Sequence, residues 1–92
     1  MGFTEDEERV LVYLVQHQCL SAPCAKRLEA IERDLGPKIS SLGEVLRTLV
    51  NGRWIGVTKK GSEGKICYYA STSVLPYLRG RGLWSPGRLH RL

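Results

Sequence analysis

Ninety-two residues, 42% of them apolar, suffice for one small domain that buries roughly 60–65% of its unfolded surface, and leave no room for a second. The formal net charge of +5 is unevenly placed, because residues 1–37 hold four bases and seven acids while residues 38–92 hold ten bases and two acids, or −3 against +8. This asymmetry points to a polyanionic partner, nucleic acid foremost. No apolar run approaches the ~20 residues of a membrane span, and the acidic start Thr4-Glu5-Asp6-Glu7-Glu8 is the reverse of a secretory leader. The expectation is a cytoplasmic protein with no membrane association.

The chain opens on a helix. Thr4 and Glu7 have the spacing of a capping box, and acids fill the first turn, where the helix dipole favours them. Val10, Leu11, Leu14 and Val15 form a stripe that predicts burial, and the helix should run to Gln16 or Gln18. Val12 and Tyr13 widen the apolar face, which suits a homodimer seam as well as an ordinary core.

Cys19 to Pro23 breaks the pattern, with Ser21 as a cap and Pro23 fit for a first helical turn. A second helix is predicted over Ala25–Leu35, with Leu28, Ile31 and Leu35 on one stripe and Gly36-Pro37 as its stop. Only Lys38 and Ile39 then precede Ser40, so the third helix follows on a tight turn. Ser41 and Glu44 repeat the capping spacing, and Ser40 is an alternative cap. Leu42, Val45, Leu46, Leu49 and Val50 fall on one stripe; Glu44, Arg47, Thr48 and Asn51 fall on the opposite side, beside Gly43. Asn51-Gly52 is expected to supply the left-handed backbone that ends the helix.

Trp54–Thr58 and Ile66–Tyr69 are rich in aromatic and β-branched residues, as strands are. Between them Lys59-Lys60-Gly61-Ser62-Glu63-Gly64-Lys65 reads as a seven-residue hairpin loop with a basic tip. Ser71, Thr72 or Ser73 would cap a short fourth helix through Leu78, with Pro76 in its first turn. The domain is therefore placed at residues 1–78. Residues 79–92, with Arg79, Arg81, Arg88 and Arg91 among glycines and no acid, are expected to form an irregular basic tail.

This α+β order resembles the winged helix-turn-helix family: a three-helix core, a two-stranded hairpin wing and a short C-terminal helix. The resemblance rests on Leu46-x-x-Leu49-Val50-x-x-x-Trp54-Ile55, on the basic wing, and on Tyr68-Tyr69-Ala70-Ser71-Thr72. It is similar to small MarR-like and ArsR-like regulators, including those carried by archaeal viruses and plasmids. The resemblance implies a homodimeric transcriptional regulator that binds double-stranded DNA, with the third helix in the major groove and the wing on the flanking backbone. Carried over, it implicates Ser40, Ser41, Arg47, Thr48 and Asn51 for the helix, and Lys59, Lys60 and Lys65 for the wing; Lys38, in the turn, is counted with them. Chemistry divides the work: the Arg47 fork matches the two acceptors of guanine, while lysines act as point charges toward phosphate. Glu44 would either accept from cytosine or pair with Arg47.

Three other readings compete. His17, Cys19, Cys24 and Cys67 are the residue types of a metal or redox sensor, although H-x-C-x4-C is a loose spacing. A disulfide, between Cys19 and Cys24 or between chains, is a related reading. A protein-binding winged helix would need an exposed apolar patch, for which Trp54, Leu83, Trp84, Leu89 and Leu92 are candidates. An enzyme is not expected, since the chain carries no H-E-x-x-H, phosphate loop or nucleophile elbow, and no cofactor is called for.

Overall fold

The computed structural model describes residues 2–84. Helix α1 spans Glu5–Gln16 and starts with the predicted box: the Thr4 hydroxyl accepts from the Glu7 amide at 3.1 Å, and the Glu7 carboxylate accepts from the Thr4 amide at 2.8 Å. Val10, Leu11, Tyr13, Leu14 and Val15 are all buried, so its apolar face is wide because it carries much of the core.

The second helix is shorter than the sequence suggests. Ala22–Cys24 makes one 3-10 turn around Pro23, Lys26–Arg27 forms a two-residue strand β1, and helix α2 occupies only Leu28–Leu35. Lys26 and Arg27 pair with Tyr68 and Cys67, giving the backbone of the neighbouring strand partners that a helix begun at Ala25 would have left orphaned. Ile31 and Leu35 are buried as expected.

Six residues, 36–41, link α2 to helix α3, Leu42–Asn51. Ile39 anchors that turn, being 2% exposed. Leu42, Leu46 and Leu49 are buried, with Val45 and Val50 half-buried on either side of them. Strands β2 (Ile55–Lys60) and β3 (Lys65–Ala70) complete an antiparallel sheet of order β1-β3-β2. Gly56 lies opposite Tyr69, whose ring covers it so closely that an added Cβ would sit 2.3 Å from the ring. A 3-10 turn at Thr72–Val74, whose Ser71 cap accepts from the Ser73 amide, leads into helix α4, Leu75–Gly80, with Pro76 in its first turn.

Three helices end alike. A left-handed residue follows each cap, and paired bonds close each end: Cys19 and Gln18 amides to the Leu14 and Val15 carbonyls, Trp54 and Arg53 to Leu49 and Val50, Leu83 and Gly82 to Leu78 and Arg79. Only the last uses glycine. After α3 the left-handed residue is Arg53, at φ 64°, while Gly52 stays right-handed. Glycine is needed at 52 for space, because a Cβ there would meet the Trp54 ring at 2.7 Å.

Helix α1 and the residues before it are tied to α4. Glu8 accepts from the Tyr77 hydroxyl and from Arg81, the latter at 2.9 and 3.3 Å, and Phe3 stacks edge-on against Trp54 and Tyr77. The segment after residue 78 is thus not wholly irregular: α4 continues to Gly80, Arg81 has an acidic partner, and Trp84 packs against the core. Arg88 and Arg91, like Leu89 and Leu92, lie outside the described residues. No helix among the described residues is long and apolar enough to cross a membrane.

Candidate nucleic-acid interface

The same periodicity that buries one side of α3 turns the other outward. Gly43, Glu44, Arg47, Thr48 and Asn51 are all exposed, as are Ser40 and Ser41 at its start. A Cβ on Gly43 would meet nothing within 4 Å, so the early part of this face is open. The S-x-x-E spacing does not close here. Ser41, at φ −118° and ψ 48°, makes no cap bond, because its backbone is not in the extended region from which a capping side chain reaches the N3 amide. Among the described residues Glu44 and Arg47 form no ion pair with each other or with any other group. Thr48 stands off the centre of the face, beside a cleft shared with Phe3, Glu7 and Trp54.

The hairpin corrects the sequence reading most. Its loop is Gly61-Ser62-Glu63-Gly64, closed by a Gly64 amide to Gly61 carbonyl bond of 3.1 Å with both glycines at positive φ. Lys59, Lys60 and Lys65 therefore belong to the strands, and the tip itself carries one acid and no base. Lys60 donates to the carbonyls of Pro23 at 2.7 Å and Ala25 at 3.1 Å. Lys65 lies 3.5 Å from both Glu29 and Glu63. Lys59, paired across the ladder with Ile66, points to the opposite face and is exposed without an acidic partner among the described residues.

That face also bears Val57, 45% exposed, and Ile66, 41% exposed, with Tyr68 opposite Val57 and Lys26 beyond it. Lys38 is exposed in the turn before α3, its carbonyl accepting from Arg9 at 3.3 Å. Two cations absent from the sequence-based set flank the same elements: Arg53, exposed at the end of α3, and Lys26 on β1. Arg53 sits where the left-handed turn must be, but glycine at 52 masked it. Lys26 was hidden by the expectation of a helix from Ala25.

The cysteines are free thiols, Cys19 and Cys67 buried and Cys24 exposed. Among the described residues no three His, Cys, Asp or Glu side chains gather as metal ligands. Burial pushes the Cys19 thiol up, away from the thiolate that a metal or a disulfide exchange requires. The Cys19–Cys24 bond considered above is not formed. Two other ionisable pairs are structural. Tyr13 donates to Asp34 at 2.6 Å, and Arg81 and Tyr77 together hold the Glu8 carboxyl below its ordinary value.

Compared with known proteins, the chain matches no protein-family model, no curated protein and no solved structure.

Proposed function

We propose that this chain is a winged helix-turn-helix transcriptional regulator that binds double-stranded DNA in the cytoplasm. Helix α3 enters the major groove and the β2-β3 hairpin lies on the flanking backbone. The observation that carries the reading is the outer face of α3: it is exposed, polar and small apart from one glutamate and one arginine, neither of them ion-paired among the described residues, on a helix whose other side is core. A groove about 12 Å wide admits such a helix. Lys38, Arg53 and Lys59, exposed cations on the adjoining turn, helix end and strand with no acidic partner among the described residues, suit phosphate contacts. One helix covers only a few base pairs, so a homodimer reading paired half-sites completes the proposal.

A protein-binding module is the second reading, favoured by Val57 and Ile66, the exposed apolar residues of the hairpin beyond the buried Ile55 and Ala70 on the same face. Fluorescence anisotropy on duplex DNA across a salt series separates the two. For a DNA binder, Lys59→Gln should make the log-log slope of affinity against salt shallower by about 0.9, whereas Lys65→Gln, already neutralised by Glu29 and Glu63, should change it far less. Arg47→Ala should cost about 1–3 kcal/mol on the preferred duplex and little on a scrambled one. Indifference to duplex at every salt concentration would favour protein binding.

A further inference from the structure

The acid on the outer face of α3 is the group that phosphate binding does not explain. Glu44 stands on the same side as Arg47 and Asn51, where a carboxylate facing DNA repels the backbone and weakens all duplexes alike. Two local uses for it are absent. It does not close a capping box, because Ser41 makes no cap bond, and it forms no ion pair with Arg47, although three residues along a helix is the usual spacing for one. Among the described residues its carboxylate therefore has no ionic partner and can accept from a bound molecule, and Arg47, one turn on, can donate.

The two side chains differ by three residues, about 4.5 Å along the helix axis, against about 3.4 Å between stacked base pairs. Side chains of this length on one helix face thus reach neighbouring base pairs. In the major groove, cytosine offers the N4 amino donor that a carboxylate accepts, and guanine offers the O6 and N7 acceptors that a guanidinium fork matches. We propose that Glu44 and Arg47 read two adjacent G·C pairs, Glu44 accepting from a cytosine amino group and Arg47 donating to a guanine edge. Glu44 is then a specificity residue by exclusion. It lowers affinity for every sequence, and only a cytosine at the right place repays the loss.

This rests on the DNA-binding reading, and the test distinguishes the two. The full chain and its Glu44→Gln variant are each used to select duplexes from a randomised pool, and affinities are then measured on the recovered and scrambled sequences. The wild type should recover adjacent G·C pairs. Glu44→Gln should lose the cytosine preference at one of them by about tenfold, move it toward adenine, whose edge fits an amide, and bind scrambled duplex more tightly than wild type. Glu44→Ala should lose the preference without acquiring the new one, and thermal melting confirms that both variants remain folded. If the wild type binds duplexes in a salt-dependent way while both variants keep its base preference at every position, the inference is overturned and DNA binding stands. If the wild type shows no salt-dependent duplex binding, both fall.

Discussion

Two helices of this protein begin with the same chemistry and put it to different use. At α1, Thr4 and Glu7 fold back on the backbone and satisfy each other's amides; at α3, Ser41 and Glu44 have the same spacing and leave that ring open. The difference lies in the residue before the helix. Thr4 is extended, at ψ 167°, and aims its hydroxyl at the third amide, whereas Ser41, last of the six residues linking α2 to α3, sits at ψ 48°. A helix start that closes on itself adds stability, while one that stays open leaves its side chains to the solvent or to a partner.

The contrast between the inner and outer sides of α3 should give the largest effect. Leu46→Ala, one position from Arg47 but 2% exposed, should destabilise the fold by about 2–5 kcal/mol in urea unfolding, since it leaves a cavity in the core. Arg47→Ala should leave the same midpoint nearly unmoved. The two helix starts can be compared directly: Thr4→Ala should cost about 1 kcal/mol, and Ser41→Ala less than about 0.5 kcal/mol, having no cap bond to lose. Equal losses would mean that Ser41 caps α3 in solution.

A smaller effect concerns the clasp that holds α1 to α4. Arg81 first, and then the Tyr77 hydroxyl, keep the Glu8 carboxyl below its usual range. A depressed carboxyl stabilises the fold at any pH above its unfolded value, about 4.3, and loses that contribution as pH falls through the folded value. Melting temperature should therefore drop below about pH 4, and Glu8→Gln should start lower and fall less steeply. A steep acid transition unchanged by Glu8→Gln would assign it to other carboxyls, of which Asp34, held down by Tyr13 and Arg33, is the first to test.

The core was legible because burial imposes a period. Val10, Leu11 and Leu14 on α1 and Leu42, Leu46 and Leu49 on α3 repeat at helical spacing, and their opposite faces follow from the same angle. Strand β1 was not legible, for Lys26-Arg27 has neither β-branched residues nor alternation and is a strand only because Tyr68 and Cys67 offer it an edge. The hairpin loop was overestimated because lysines carry no turn signal; Gly61 and Gly64, both at positive φ, mark its ends. The candidate surface divides the same way. The outer side of α3 follows from local periodicity, whereas the fate of Lys60 depends on carbonyls 35 and 37 residues away, which no local pattern announces.

The hold of Lys60 on the carbonyls of Pro23 and Ala25 bears on the contact proposed between the hairpin and DNA. A wing attached only at its base would sample many orientations and surrender that freedom on contact, at a cost of about 0.5–1.5 kcal/mol for each long side chain immobilised, besides the backbone. Here the far end of β2 is moored to the body of the domain, and the Tyr69 ring lies across Gly56 nearer its start, so rearrangement is left to the four residues Gly61–Gly64. The ordering entropy is spent during folding, before any partner arrives, and Lys59 is presented from a strand whose position is already set.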